Sequence, residues 1–156
     1  FDSVADPQFD AEHGVERRSF DDLLEESDVV SLHLPLTEAT RNLMDARRLA
    51  QMKPGSILIN TSRGGLVDEK ALEEALTSGH LAGAGLDVFQ VEPTPPGHPL
   101  VALPQVVSSP HIAGVDELSM AQMAELAARC IADLYEGRWP APECVVNPEV
   151  GPEWTW

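Results

Sequence analysis

Cationic residues are scarce in this sequence, and long apolar runs are missing. Lys and Arg together number 10 against 26 Asp and Glu, which gives a formal net charge of −16 at pH 7. A surface of this charge repels phosphate backbones and anionic membranes, so the composition argues against nucleic-acid and membrane partners. The sequence also contains no apolar run long enough to predict a transmembrane helix.

Cysteines are equally few, and their spacing argues against sulfur-based sites. Cys130 and Cys144 are the two in the chain, and neither belongs to a CxxC motif or to another metal-ligand spacing. We therefore expect no metal centre. Such low cysteine usage is typical of a reducing compartment, which favours a cytoplasmic location.

What the sequence does contain is an alternation of short apolar stretches and amphipathic stretches. Strands are predicted over 28–34, 56–60, 82–89 and 105–109, with the end of another at 1–7. Helices are predicted over 19–26, 43–52, 68–78 and 119–136, and the proline-rich segment 90–104 is predicted to be a loop. This alternation is typical of βαβ units, so we expect an α/β fold with a doubly wound, Rossmann-like parallel sheet.

Polar side chains follow the predicted strands where each strand ends. The apolar stretch before Asn60, for example, runs directly into Thr61, Ser62 and Arg63. Ligands of open parallel sheets bind beyond the carboxyl ends of the strands. The residues at these ends are Asp6, His33, Leu34, Pro35, Asn60, Thr61, Ser62, Arg63, Asp87 and His111.

Arg63, Glu92 and His111 together could support reversible hydride transfer to a carbonyl group. An arginine binds a carboxylate through two hydrogen bonds, and a histidine exchanges protons near neutral pH. A neighbouring carboxylate orients the histidine and favours its protonated form. Taken singly, each has an ordinary alternative, namely a surface ion pair, a loop histidine and an exposed acid.

Three motifs decide between these alternatives. The stretches "NTSRGGLVDEKALEEAL", "GAGLDVFQVEP" and "PHIAG" occur in this order. Through these motifs the chain resembles the D-isomer-specific 2-hydroxyacid dehydrogenases, a family that includes phosphoglycerate dehydrogenases and glyoxylate or hydroxypyruvate reductases. The resemblance runs from about Asp6 to about Val146. The resemblance implies that Arg63 binds the substrate carboxylate and carbonyl oxygen, that His111 is the acid and base, and that Glu92 pairs with His111.

The same resemblance implies an NAD site. The expected cofactor-binding residues are Asp6, Leu34, Pro35, Thr61, Ser62, Arg63, Asp87, His111 and Gly114. Asp6 would accept hydrogen bonds from the adenosine ribose, and its charge disfavours the 2′-phosphate of NADP. Asp87 would hold the nicotinamide carboxamide, while Gly64 and Gly65 would allow a tight turn beneath the cofactor.

Several of these assignments have structural alternatives. Asp6 could simply form a turn before Pro7, Asp87 could cap the loop after Phe89, and Gly114 could lie in an ordinary turn. His33 is expected to be a packed structural histidine rather than a catalyst.

The resemblance also implies parts that the 156 residues do not contain. The family's G-x-G-x-x-G phosphate loop is expected before Asp6, and its first domain supplies much of the substrate pocket. We therefore interpret 1–118 as a partial NAD-binding domain, incomplete at the N-terminus, and 119–156 as a helix and tail that lead back to a missing substrate domain. The 156 residues alone are expected to have little or no activity, and the intact protein is expected to be a homodimer.

The expected activity of the intact protein is NAD-dependent oxidoreduction of a small D-2-hydroxy or 2-keto acid, whose side chain the sequence does not identify. A phosphorylated substrate would need further cationic groups. The stretch "GGLVDEKAL" also resembles dehydrogenase-like transcriptional corepressors, so a non-catalytic, NAD-sensing binding protein on the same fold is the alternative. A fragment without a function of its own is the remaining possibility.

Overall fold

Four short parallel strands form the centre of the computed structural model, which describes residues 1–2 and 4–151. The strands are β1 Val29–Leu32, β2 Ile57–Asn60, β3 Gly83–Leu86 and β4 Val106–Ser108. They form one sheet in which the spatial order follows the chain order and all neighbours are parallel. The predicted α/β fold with a parallel, Rossmann-like sheet is therefore confirmed.

Helices lie in the connections between the strands, and further helices precede β1 and follow β4 in the chain. In the described residues they are α1 Pro7–His13, α2 Phe20–Glu26, α3 Ala46–Gln51, α4 Glu69–Thr77, α5 Pro99–Ala102 and α6 Glu117–Tyr135. Single 3-10 turns lie at Gly64–Leu66, Pro142–Cys144 and Pro148–Val150. In the part of the chain that the structure describes, none of these helices has the length and apolarity needed to cross a membrane.

The core lies where apolar residues of the strands meet the inner faces of the helices. Leu58 in β2 is fully buried, and Leu72 and Leu76 of α4 are buried in the same cluster. Asp68 caps the N-terminus of helix α4, because its carboxylate accepts hydrogen bonds from the N–H groups of Lys70 and Ala71 at 3.1 Å. Each fully buried leucine contributes about 1.5–3 kcal/mol through removal of its surface from water. This packing fixes the strands that carry the polar strand ends.

Two predictions about proline-containing segments are wrong. No strand is present in the described residues of 1–7; instead, Pro7 begins α1, and the Asp6 carboxylate accepts a hydrogen bond from the Phe9 N–H at 3.0 Å. The segment 90–104 is not all loop, because Pro99 begins the short helix α5, which Leu100 anchors with 1% exposure. Proline fits the first position of a helix, where no N–H is needed, so both prolines start regular structure rather than end it.

The chain divides into two compact units, Phe1–Ala113 and Gly114–Trp156. The first contains the sheet and the helices from α1 to α5. The second contains α6. Asp116 caps the start of this helix, because its carboxylate accepts a hydrogen bond from the Ser119 N–H at 2.9 Å, and Gly137 at φ 75° lies after its end. The interpretation of 119–156 as a return to a further domain stays a prediction.

Candidate active site

The register of the sheet brings the polar strand ends together. Leu32 pairs with Asn60, Asn60 with Leu86, and Leu86 with Ser108. Because these four residues lie side by side, the residues that follow them emerge along one edge of the sheet.

The buried amide of Asn60 shapes the turn that presents Arg63. Asn60 is 1% exposed. Its Oδ1 accepts a hydrogen bond from the Ser62 N–H at 3.1 Å, and its Nδ2 donates to the Arg63 carbonyl oxygen at 3.0 Å. The Ser62 hydroxyl donates to the Leu32 carbonyl oxygen at 2.6 Å. An amide and a hydroxyl therefore follow this strand because they satisfy the backbone of a tight turn and tie it to the neighbouring strand.

The glycine after this turn is required by close packing. A Cβ atom built on Gly64 would lie 2.0 Å from the carbonyl carbon of Phe89. No side chain fits at this distance from a backbone, so Gly64 lets the segment after Arg63 approach the segment that leads to Glu92. Its φ is not in the left-handed region, and the proposed turn beneath a cofactor stays a prediction.

His111 and Glu92 form a hydrogen-bonded pair. The distance between His111 Nδ1 and Glu92 Oε2 is 2.8 Å, and Glu92 Oε1 accepts a hydrogen bond from the Phe89 N–H at 3.0 Å. The hydrogen bond with His111 and the one from Phe89 lower the pKa of the Glu92 carboxyl below its ordinary value, against the opposing effect of burial. An ionised carboxylate only accepts, so Nδ1 carries the proton. Nε2 is then the nitrogen available to a ligand.

Asp87 holds the segment that carries His111. It is 3% exposed, and its Oδ1 accepts hydrogen bonds from the Ser109 hydroxyl at 2.5 Å and the Ile112 N–H at 2.9 Å. Its Oδ2 accepts one from the Ala113 N–H at 2.9 Å. Burial by itself raises the pKa of the Asp87 carboxyl, but these hydrogen bonds outweigh it and bring the pKa below the ordinary value. Asp87 therefore positions His111, whose backbone has φ 57°.

We expect Asp87→Asn to lower the free energy of unfolding at pH 7 by about 1–3 kcal/mol, because an amide cannot accept all three hydrogen bonds. The pKa of Asp87 is lower in the folded than in the unfolded protein. Its stabilising contribution is therefore fully present above the unfolded value of about 3.9 and is lost as the pH falls through the folded value. Denaturant unfolding at pH 7 and at about pH 3 should show the difference between variant and wild type narrowing in acid.

Asp28→Asn is the matched control for this prediction. Asp28 pairs with Lys53 at 2.6 Å, but 83% of its side chain is exposed. Exposed ion pairs contribute about 0–1 kcal/mol, so a small loss is expected there. Equal losses at pH 7 for the two variants would contradict the positioning role of Asp87.

Arg63, Glu92 and His111 line one cleft, which has a volume of about 380 Å³. Arg63 is exposed, and its Nη1 donates to the Ser62 carbonyl oxygen at 2.6 Å. Within residues 1–2 and 4–151, its guanidinium forms no ion pair with a carboxylate. A free guanidinium beside a histidine–glutamate pair is therefore available to an anionic ligand.

A larger groove of about 710 Å³ adjoins this cleft. The groove is lined by His33, Leu34, Pro35, Leu36, Thr61, Ser62 and Arg63. Leu36 and Arg63 line both the cleft and the groove. Apolar and hydroxyl-bearing residues at the carboxyl ends of β1 and β2 fit the flat rings and the polar edges of a dinucleotide. The residues predicted to hold NAD on this side are thus gathered in one place, next to the candidate catalytic residues.

Other predicted site residues lie elsewhere. Asp6 lies outside the groove, at the start of α1, and Gly114 belongs to the second unit. Their roles toward a cofactor stay predictions. The prediction that His33 is packed is wrong, since its side chain is exposed along the groove and its Nε2 lies 2.8 Å from the Ser31 hydroxyl.

Among the cleft residues that the sequence analysis does not predict are Arg41 and Asn42. They lie in a turn far from the three motifs in the chain. Hydrogen bonds bring this turn to the cleft, because the Asn42 N–H donates to the Gly65 carbonyl oxygen at 2.8 Å. The sequence carried no periodic or spacing signal for this contact.

Comparison with known proteins gives a consistent result. Residues 1–113 match the family model for the D-isomer specific 2-hydroxyacid dehydrogenase, NAD binding domain. The chain is 47% identical over 150 residues to a glyoxylate reductase of Korarchaeum cryptofilum. This match covers 96% of the chain and 45% of that relative. It is 56% identical over 93 residues to an (S)-sulfolactate dehydrogenase of Chromohalobacter salexigens, covering 60% of the chain and 30% of that relative.

A solved structure shows the same fold with the cofactor. It is the NAD-complexed form of a D-isomer specific 2-hydroxyacid dehydrogenase from Lactobacillus delbrueckii ssp. bulgaricus. The two chains superimpose with a TM-score of 0.82 at 35% identity, over 90% of this chain and 46% of the other. The chain therefore spans less than half the length of the relatives that it matches.

Proposed function

Because the chain belongs to the D-isomer specific 2-hydroxyacid dehydrogenase family, we propose that it is the NAD-binding part of an oxidoreductase that interconverts a small D-2-hydroxy acid and its 2-keto acid. The observation that supports this most strongly is the single cleft lined by Arg63, Glu92 and His111. It supplies a guanidinium that forms no ion pair within the described residues and a histidine whose Nδ1 is held by an ionised carboxylate.

The substrate carboxylate would bind to the Arg63 guanidinium, whose planar fork matches its two oxygen atoms. This interaction places the carbonyl group within reach of His111. NAD(H), when bound in the adjoining groove, supplies or accepts the hydride at C2. During reduction, the proton from His111 Nε2 passes to the carbonyl oxygen, and in oxidation Nε2 takes it from the hydroxyl.

Glu92 contributes by remaining ionised. Its lowered pKa means that it is negative at neutral pH, so it stabilises the positive charge on His111 before the proton is transferred. The hydrogen bond at 2.8 Å also prevents rotation of the imidazole ring. Asp87 completes the arrangement through the backbone that carries His111.

NAD rather than NADP is proposed as the cofactor. The matched family domain is described as NAD binding. Asp6 lies at the start of α1, and a carboxylate near the adenosine ribose would repel a 2′-phosphate. One carboxylate oxygen of Asp6 caps α1, and the carboxylate can still accept from a ribose hydroxyl because it has several lone pairs.

The test is to assay the full-length protein that carries this chain. With NADH we expect reduction of glyoxylate, hydroxypyruvate or pyruvate, with kcat in the usual enzymatic range of about 1–10³ per second. NADPH should serve with a lower kcat/KM. Stoichiometric NADH binding without turnover of any 2-keto acid would contradict the enzyme and favour the corepressor-type binding protein. The 156 residues assayed alone should show little or no turnover.

The named relatives differ in substrate, and the difference is a charge. One is a glyoxylate reductase and another an (S)-sulfolactate dehydrogenase. Glyoxylate has one anionic group, and sulfolactate has a second one on C3. We propose a small 2-keto or 2-hydroxy acid as the substrate class on the basis of the cleft alone.

A further inference from the structure

A second arginine lines the cleft besides Arg63. Arg41 lines the cleft together with Arg63 and His111, and its side chain is exposed. Among the residues that the structure describes, Arg41, like Arg63, forms no ion pair with a carboxylate. Two arginines therefore line the same cleft, and neither forms an ion pair within the described residues.

The position of Arg41 is built into the fold. The Arg41 N–H donates to the Thr37 carbonyl oxygen at 3.0 Å. The next residue, Asn42, has φ 50° and donates its N–H to the Gly65 carbonyl oxygen at 2.8 Å. The Met44 N–H donates in turn to the Leu66 carbonyl oxygen at 2.9 Å. The turn that carries Arg41 is thus tied to the segment immediately after Arg63.

The charge balance makes this pair of arginines informative. In a chain with 26 acidic and 10 cationic side chains, an arginine has many possible acidic partners. Two like charges that line one cleft also repel each other, and the repulsion is relieved when an anion binds between or beside them. One substrate carboxylate occupies the fork of one arginine, which leaves the second guanidinium available.

We propose that Arg41 binds a second anionic group, so that the substrates are 2-keto and 2-hydroxy acids with a tetrahedral anion, either sulfonate or phosphate, on C3. Sulfonate and phosphate share three or more acceptor oxygens and match a guanidinium equally well, so both belong to this class. The inference rests on the proposed function, and it adds a residue that selects among substrates.

The test is to measure kcat/KM of the full-length protein, with NADH, for two pairs of matched substrates. One pair is 3-phosphonooxypyruvate and hydroxypyruvate, and the other is 3-sulfopyruvate and pyruvate. In at least one pair, we expect the wild-type protein to have a higher kcat/KM for the member with the C3 phosphate or sulfonate than for the other member. The ratio of these two kcat/KM values measures the preference, and the pair that shows it identifies phosphate or sulfonate. Arg41→Gln should lower this ratio by about 10–100-fold, as expected for loss of a hydrogen-bonded ionic contact. The loss should arise mainly in KM, and Arg41→Lys should restore part of it.

Arg47→Gln is the control, because Arg47 is an exposed arginine on α3 that hydrogen-bonds Gln51 at 3.3 Å, and the ratio should not change. An unchanged ratio in Arg41→Gln, or an equal loss with both members of a pair, would overturn the role of Arg41 while the dehydrogenase proposal stands. If the wild-type protein reduces neither these four acids nor glyoxylate, the proposed function fails and this inference fails with it. Reduction of glyoxylate alone overturns this inference and leaves the dehydrogenase proposal standing. Turnover of hydroxypyruvate or pyruvate by the variants shows that they are folded.

Discussion

In the full-length protein, His111→Asn should lower kcat for reduction of a 2-keto acid by about 10²–10⁴-fold, the usual contribution of a general acid. Asparagine is the informative replacement because position 111 has φ 57°, a left-handed conformation that asparagine tolerates better than most residues. The backbone N–H of residue 111, which donates to the Asp87 carbonyl oxygen at 2.8 Å, also remains. The variant therefore loses the titratable ring with little change in the turn.

The measurement is steady-state kinetics with NADH, and KM for the keto acid should change far less than kcat. His13→Asn provides the control, since His13 is an exposed histidine of α1 whose Nδ1 lies 3.1 Å from the Phe9 carbonyl oxygen of its own helix. Its kcat should equal that of the wild-type protein. A loss of less than about tenfold in His111→Asn would show that another group donates the proton.

The sheet could be predicted from the sequence because each strand is a local pattern. The apolar stretch ending at Asn60 and the small-residue stretch around Gly83 and Gly85 each occur between helix signals, and both are strands. Proline was the ambiguous signal. In the sequence Pro7 and Pro99 resemble breaks, yet each is the first residue of a helix, because only the following residues decide whether a proline ends or begins regular structure.

The candidate catalytic residues were predictable for a different reason. No local pattern joins Arg63, Glu92 and His111, and singly each has a common structural explanation. The resemblance in the three motifs identified them, and the structure then shows that they line one cleft. The hydrogen bond between His111 and Glu92 is the part of this arrangement that the chemistry alone had required.

The supporting contacts were beyond the sequence because they join residues far apart in the chain. Asp87 accepts hydrogen bonds from the N–H groups of Ile112 and Ala113, and nothing in the sequence near Asp87 indicates this. Arg41 reaches the cleft through a neighbouring residue that binds the Gly65 backbone. Such contacts depend on how two segments pack, which neither propensity nor periodicity encodes.

The second large effect is expected at Arg63. In the full-length protein, Arg63→Gln should lower kcat/KM for any 2-keto acid by about 10³-fold, because two charge-assisted hydrogen bonds to the substrate carboxylate, at roughly 1.5–3 kcal/mol each, are lost. The protein should remain folded, since Arg63 is exposed and its guanidinium donates a hydrogen bond to the adjacent Ser62 carbonyl oxygen. Its thermal unfolding midpoint should match that of the wild-type protein.

Adding guanidinium ion to Arg63→Ala tests whether the loss of kcat/KM comes from the missing guanidinium group or from a change in structure. If the missing group is only the guanidinium, millimolar guanidinium should raise kcat/KM of this variant several-fold, whereas it should not raise that of Arg47→Ala. Arg63→Lys should recover less than the arginine supplies, because an ammonium group cannot bind both carboxylate oxygens in one plane. An activity within about tenfold of wild type in Arg63→Gln would mean that the substrate carboxylate binds elsewhere. Arg41, the other arginine that lines the cleft, would then be the residue to replace next.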